Sequence, residues 1–366
     1  MQLATDPKTR VQRMHERGQE TRHLLDVDPQ VGRGRDPSAE PAVETSSLVR
    51  TYGPHLAVAG IDLAVQKGEI YGFLGPNGAG KSTFIRMLCT LLAPTSGTAT
   101  VAGFDVVAAP KEVRLRIGVA LQEAALDERQ TGRELLALQG RLYGLRSKEI
   151  RTRLDEVLDL VDIGNAIDRL IGTYSGGMKR RLDLAAALVH NPEILFLDEP
   201  TTGLDPGSRE AVWSEVRRLN DELGMTIFLT TQYLEEADVL AGRVGFIARG
   251  RVVAEGSPSE LKRSIGQDLI VADLHLSGSA ESERGLAAAL DALEKVPTVG
   301  SVMLEGFRLV LSSSDGPAAL SPVAVALGAC GLEVKSLTLR TPTLDDVFRE
   351  LTGSTIDSDT GERSVE

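Results

Sequence analysis

The stretch Gly75-Pro76-Asn77-Gly78-Ala79-Gly80-Lys81-Ser82 follows a short apolar run, Glu69 to Leu74, and opens a helical pattern that Pro94 ends after Leu92. Few arrangements narrow the choice of fold more. A strand that runs into a glycine-rich turn and then a helix is one βα unit of a parallel sheet, and its turn is shaped for an anion. Glycines at 75, 78 and 80 let backbone N–H groups turn inward with no Cβ in the way. The helix start aims the positive end of its dipole at the same point. Lys81 can reach β- and γ-phosphate oxygens, and Ser82 can offer a hydroxyl to Mg²⁺.

Two further features say how the nucleotide is used. Ile194-Leu195-Phe196-Leu197 leads into Asp198-Glu199, so two carboxylates emerge where a buried strand ends, which is where open α/β sheets bind ligands. Asp198 is placed to hold Mg²⁺ through water. Glu199 is the group to polarise an attacking water, because consecutive strand residues point to opposite faces. Ahead of that strand, Ser175-Gly176-Gly177 opens a helix and forms a second phosphate-binding end. One chain with two such ends far apart implies that a nucleotide is trapped between two copies.

The rest of the chain fits around these points. Residues 1–44 are polar, carry Pro29, Pro37 and Pro41, lack periodicity, and are expected to be a disordered extension, as is the tail at 354–366. From Ser46 strands and helices alternate to about 265, with helical spacing in Leu135-Leu138-Leu142 and Leu154-Val157-Leu158-Val161 marking a helical insertion at about 131–190. Strands are expected at Thr98–Val101, Arg116–Gln122, Ile194–Leu197, Thr226–Thr230, Val244–Ala248 and Val252–Ala254. Alternation of this kind makes a mainly parallel sheet covered by helices. Between 266 and 353 the order becomes βαββαβ, with a hairpin turn at Glu305-Gly306, which is the ferredoxin-like unit.

Bulk properties exclude several classes. Apolar residues make up 42% of the 366, yet no run reaches the eighteen or so that span a bilayer, so a membrane role requires a partner. The net charge of −12 argues against a nucleic-acid-coating surface. Cys89 and Cys330 sit in apolar sequence and read as core filler in a reducing cytosol.

The ordered set Gly75–Ser82, Gln122, Tyr174-Ser175-Gly176-Gly177-Met178, Leu195–Glu199, Gly203-Leu204-Asp205 and Thr230–Asp238 resembles an ABC-transporter ATPase subunit over residues 46–265. The resemblance implies an α/β P-loop NTPase of the ABC type: a mainly parallel sheet, an antiparallel β subdomain and a helical insertion, here with a small C-terminal ferredoxin-like α+β domain. It implies ATP and Mg²⁺ as ligands. Tyr52 would stack on adenine, and Pro76, Asn77 and Thr83 would complete the phosphate loop. Gln122 would join Ser82 and Asp198 at the metal and sit where a membrane subunit docks. Ser175, Gly176 and Gly177 would bind the γ-phosphate held by the other protomer, and Asp205 would link the two sites. The partners implied are a second copy and a separate polytopic permease that handles a small hydrophobic substrate, which places the chain at the cytoplasmic face of the cell membrane. No nucleic acid is expected.

Two departures from the common pattern stand out. The signature reads Tyr-Ser-Gly-Gly-Met, and Thr231-Gln232-Tyr233 puts glutamine where most members have a switch histidine. A glutamine amide can donate to a γ-phosphate and orient water, but it cannot take up a proton. Gln232 is therefore expected to act beside Glu199, with Glu199 carrying more of the catalytic burden. These departures, with Pro342-Thr343-Leu344-Asp345-Asp346-Val347-Phe348, resemble the daunorubicin/doxorubicin-resistance branch, in which the ATPase is a separate polypeptide. The resemblance implies a homodimer-stabilising or regulatory C-terminal domain; a ligand-binding sensor is the other reading, and assembly is favoured. The alternative is a soluble ABC ATPase of ribosomes or DNA repair. A single phosphate loop and an acidic balance count against it. A P-loop kinase or GTPase is disfavoured by the lack of an Asn-Lys-x-Asp base reader.

Overall fold

Three sheets carry the residues that the computed structural model describes: 40–121, 126–161, 163–266, 268–275, 280–305 and 308–352. The first part of the chain gives β1 (Val43–Tyr52), β2 (His55–Val65), β3 (Ile70–Leu74), α1 (Lys81–Leu88), β4 (Ser96–Val101), β5 (Phe104–Asp105), α2 (Pro110–Arg116) and β6 (Ile117–Ala120). Next come α3 (Gly132–Leu142), α4 (Ser147–Leu160), α5 (Gly176–Leu188), β7 (Ile194–Asp198), α6 (Pro206–Leu223), β8 (Thr226–Thr231), α7 (Leu234–Leu240), β9 (Arg243–Ala248), β10 (Arg251–Gly256) and α8 (Pro258–Ile265). The chain then forms β11 (Asp268–His275), α9 (Ala280–Leu293), β12 (Val299–Glu305), β13 (Arg308–Ser313), α10 (Gly316–Ala329), β14 (Glu333–Arg340) and α11 (Leu344–Thr352).

The central sheet runs β10-β9-β3-β8-β7-β6. Its five strands from β9 to β6 are parallel, and β10 closes one edge as an antiparallel strand. Every residue of β3, β7 and β8 is buried. That explains why these strands read as nearly unbroken apolar runs rather than alternating ones. The register aligns Leu74 with Thr231 and Asp198 with Thr230, so β3, β7 and β8 end together. Their carboxyl ends form one rim, and the phosphate loop and both acidic residues rise from it. An antiparallel sheet, β2-β1-β4-β5, forms the β subdomain.

Aromatic packing fixes the phosphate loop to this frame. Phe84 on α1 lies 5.0 Å from Phe73 on β3, and both meet Phe228 on β8, which also contacts Phe196 on β7. Each such pair adds about 0.5–1.5 kcal/mol beyond its buried area. The start of α1, and Lys81 with it, is thereby held over the strand ends. Cys89 is fully buried in the same cluster, where burial pushes its thiol up, so it acts as a small apolar side chain.

Several boundaries differ from the sequence reading. The first strand starts at Val43, inside the stretch expected to be an extension, because Val43 is fully buried and pairs with both Val65 and Val101. The helix after the phosphate loop ends at Leu88 rather than Leu92, since Thr90 turns left-handed (φ 62°) and the N–H groups of Leu91 and Leu92 both return to the Arg86 carbonyl. Pro110–Arg116 forms a short helix that the pattern did not announce, with Pro110 at its first turn. The block at 131–190 holds α3, α4 and α5 together with two short 3₁₀ pieces, Gly164–Asp168 and Ile171–Thr173.

The last sheet has the order β12-β13-β11-β14, antiparallel throughout, with α9 and α10 packed on one face through Ala289, Leu293, Ala319, Val323 and Leu327. That is the ferredoxin-like arrangement. Cys330 packs against this core, partly buried. Glu305, expected in the hairpin turn, is the last residue of β12, while Gly306 of that turn, residue 307 and the segments 1–39 and 353–366 lie outside the described residues. Helix α11 returns to the central sheet and buries Leu344, Val347 and Phe348 against Leu74, Ala237, Phe246 and Leu261. Among the described residues no helix is long and apolar enough to cross a membrane.

Candidate active site

The phosphate loop keeps its shape by close backbone approach. A Cβ on Gly75 would lie 2.3 Å from the Ile247 carbonyl on β9, and one on Gly80 would lie 2.4 Å from the Ala57 carbonyl on β2, where φ is already +111°. Neither position accepts a side chain. Gly75→Ala should lower stability by about 3 kcal/mol or more, read as a fall in denaturant midpoint, because the obstructing atom is main chain and cannot swing aside. Pro76, Asn77 and Gly78 form the outer part of the turn, with Asn77 and Gly78 exposed. Thr83 follows Ser82 in the first turn of α1 and is half-buried.

Lys81 is 4% exposed. Its Nζ donates to the carbonyls of Gly75 (2.7 Å) and Pro76 (3.2 Å) and pairs with Glu199 Oε1 at 3.4 Å. Burial pulls the ammonium below its ordinary pKa, and Glu199 opposes that shift. Ser82 Oγ donates to Asp198 Oδ1 at 3.3 Å, and the same oxygen accepts from Thr230 Oγ1 at 2.5 Å. Lys81, Ser82, Asp198 and Glu199 are thus brought together at one end of the sheet.

Glu199 is held by its own backbone geometry rather than by strand alternation. It lies beyond the last residue of β7, so strand alternation does not set its direction. Its backbone is left-handed, φ 50°, a conformation costing about 1–3 kcal/mol in a non-glycine residue. Its amide is held by the Thr230 carbonyl (3.0 Å) and the Thr230 hydroxyl (3.2 Å), and Thr202 Oγ1 donates to Oε2 at 3.3 Å. Thr230 therefore serves both acidic residues. Sequence reasoning gave it no role, although a pair of hydroxyls following the apolar Ile227-Phe228-Leu229 was a usable signal.

The Ser175–Gly177 turn, expected to be a second phosphate-binding end, is built separately. Tyr174 is buried and its hydroxyl donates to the Ala166 carbonyl at 2.5 Å, which anchors the chain just before α5. Ser175 caps α5 by accepting from the Met178 amide at 3.3 Å, while Met178 packs into the core below. Ser175 and Gly176 are exposed. Among the described residues the nearest atoms to Cβ positions at Gly176 and Gly177 belong to Leu204 and Ser208, not to the phosphate loop. Asp205 caps α6, accepting from the Ser208 amide (3.0 Å) and hydroxyl (2.6 Å), and these bonds hold its carboxyl below the usual range. The segment Gly203–Asp205 thus lies beside the Ser-Gly-Gly turn.

The remaining sequence-predicted residues are placed as follows. Gln232 is half-buried at the turn leaving β8, which the Tyr233 amide tightens by donating to Thr231 Oγ1 at 2.9 Å. Tyr52 ends β1 and is 44% exposed, with the Arg50 guanidinium 4.7 Å from its ring centre. Its hairpin partner strand carries Ala57, whose carbonyl touches the Gly80 turn. Gln122 lies outside the described residues, and Leu121 just before it is described. Sequence reasoning also overlooked Arg180 on α5, which reads as one more charge in the Lys179-Arg180-Arg181 run.

Comparison with known proteins identifies the family of the chain. A family model described as ABC transporter matches residues 58–202, and one described as ATP-binding protein DrrA1-3-like, C-terminal domain matches residues 256–352. The chain is 49% identical over 329 residues to the daunorubicin/doxorubicin resistance ATP-binding protein DrrA of Streptomyces peucetius, covering 89% of this chain and 96% of that protein. The chain belongs to the ABC transporter ATP-binding proteins. Within that family it is 36% identical to the linearmycin resistance ATP-binding protein LnrL of Bacillus subtilis, over 86% of this chain and 99% of that one. Its structure resembles a dimeric ATP-binding cassette in a post-hydrolysis state bound to ADP and phosphate. The TM-score is 0.55 at 26% identity, over 59% of this chain and 98% of that chain. As an ABC transporter ATP-binding protein it binds and hydrolyses ATP as the motor subunit of a transporter, and the ribosome or DNA-repair reading is set aside.

Proposed function

We propose that two copies of this subunit clasp Mg-ATP face to face and use its hydrolysis to drive export of a hydrophobic drug or antibiotic through a separate permease at the cytoplasmic face of the membrane. The observation that carries the two-copy reading is the Ser175–Gly177 turn. It opens on an exposed surface beside Asp205, with its own phosphate loop elsewhere, so its N–H groups suit a nucleotide brought by another copy. The drug-export reading is supported by relatives named for resistance to daunorubicin, doxorubicin and linearmycin.

Each residue has a part in this reading. Lys81 and the phosphate-loop amides neutralise the β- and γ-phosphates, and Tyr52 stacks on the base. Ser82 and Asp198 supply hard oxygen donors 3.3 Å apart, which suit Mg²⁺ bound through one hydroxyl, one carboxylate, water and phosphate. Gln122 is proposed to complete that shell. When bound, Mg²⁺ neutralises charge developing on the phosphates. Glu199 polarises the attacking water, and its fixed left-handed backbone sets the carboxylate's direction. Gln232 donates its amide toward the γ-phosphate. The chain is proposed to divide into an ATPase domain at 45–265 and an accessory domain at 266–353 that serves assembly.

Gln232 gives a test by substitution. If it positions phosphate by hydrogen bonding alone, Gln232→His keeps most of the hydrolysis rate and Gln232→Ala loses about tenfold or more. Equal rates in all three chains would remove Gln232 from the mechanism. The transporter reading is tested by purifying the tagged chain from detergent-solubilised membranes of its own cells. A polytopic protein should copurify in fixed ratio, and recovery of the chain alone from the aqueous fraction would count against a permease partner.

A further inference from the structure

Arg180 lies one turn inside α5, five residues after Ser175, and its side chain is about one-tenth exposed. Its guanidinium reaches away from the Ser-Gly-Gly turn to the end of the central sheet. Nε donates to the Pro200 carbonyl at 2.8 Å, Nη2 to the Asp198 carbonyl at 3.4 Å, and Nη1 to the Leu121 carbonyl at 2.7 Å. Asp183, one turn further along α5, accepts from Nη1 at 3.1 Å and fixes the fork from its own helix. Two of the three carbonyls flank Glu199 on either side, and the third immediately precedes Gln122 in the chain.

That placement answers a question the fold raises. Glu199 holds a left-handed backbone outside its strand, and such a conformation persists only where the surroundings over-determine it. Thr230 fixes the amide of Glu199. Arg180 holds the carbonyl of the peptide group just before Glu199 and the carbonyl of the next residue, Pro200. Only a planar fork with several donors can serve three diverging carbonyls and a carboxylate at once.

We propose that Arg180 is a positioning residue that ties the Ser-Gly-Gly helix to the catalytic carboxylate: it holds the main chain on both sides of Glu199 and at the end of β6. Movement of α5 when its N-terminus engages a partner's nucleotide is thereby transmitted to Glu199. This rests on the proposed role of Glu199 as the group that polarises water.

The test compares Arg180→Lys and Arg180→Met with the parent chain, each alone and combined with Glu199→Gln. Lysine keeps the charge and much of the stem but loses the fork, so it should fold and still misplace Glu199. Both variants should lower kcat by about tenfold or more, with KM for ATP within about twofold of the parent. In the Glu199→Gln background the same changes should lower the residual rate no further, because the group they act through is gone. Full kcat in Arg180→Lys, or equal losses with and without Glu199, would overturn the proposal, whatever happens to the melting temperature. Failure of the underlying reading is separable. If Glu199→Gln alone hydrolyses ATP normally, the role of Glu199 fails. If Glu199→Gln is inactive and Arg180→Lys is fully active, only the inference about Arg180 fails.

Discussion

Glu199→Gln should bind Mg-ATP, lose hydrolysis by about a hundredfold to ten-thousandfold, and accumulate as dimers with ATP but not with ADP. Several features of the site lead to that expectation. The amide is nearly isosteric, so the left-handed backbone held by Thr230 and the contact with Thr202 can both survive. Removing the negative charge eliminates the group able to polarise water, while Lys81 and the phosphate-loop amides remain for binding. It also removes a charge that repels the γ-phosphate, so nucleotide should bind at least as tightly. With hydrolysis blocked, the clasped state has no chemical exit. Gel filtration or sedimentation with each nucleotide reads the assembly, and phosphate release reads the rate. A monomer in both nucleotides would remove the dimer from the mechanism.

Lys81→Ala should be as inactive for a different reason, and it should also lose stability. The ammonium neutralises Glu199 at 3.4 Å in a place where both side chains are about 5% exposed or less, and it satisfies the carbonyls of Gly75 and Pro76. Breaking a buried pair from one side leaves a charge without its counter-ion and costs on the order of 3 kcal/mol. Nucleotide affinity should fall steeply as well, since the cation that meets the phosphates is gone. A double change separates the two effects. Lys81→Ala with Glu199→Gln should recover much of the stability, seen in thermal or denaturant unfolding, and none of the ATP binding. If the single Lys81→Ala chain is as stable as the parent, the ion pair contributes nothing net and this part of the account is wrong.

How much of this could be read from the chain depends on whether the signal was local. The phosphate loop is local: strand, turn and helix are contiguous, and each glycine has a steric reason in sequence order. The apolar runs of β3, β7 and β8 announce strands covered on both faces, which already places Asp198 and Glu199 at a sheet end. The βαββαβ order similarly makes the ferredoxin-like arrangement legible, although not which face its helices cover. What sequence could not show arises from contacts between distant segments. Thr230 meets Asp198 from a neighbouring strand, and Arg180 reaches Leu121 and Pro200 across long stretches of chain. Val43 was missed because its strand character comes from two partners, Val65 and Val101, rather than from its own polar surroundings. Strand alternation does not set the direction of Glu199, for a related reason. Alternation along a strand stops where the strand stops, and here it stops one residue earlier, at Asp198.

The central claim is that the Ser-Gly-Gly turn of one copy completes the nucleotide site of another. Crosslinking tests it most directly. One chain carries Ser175→Cys and a second, distinguishable in size, carries Asn77→Cys, both in the Glu199→Gln background. Both positions are exposed. A short thiol-specific crosslinker added with Mg-ATP should join the two chains into a heterodimer on a denaturing gel, should fail to do so with ADP, and should join neither variant to itself. Absence of the heterodimer with ATP, or its equal formation with ADP, would contradict the account.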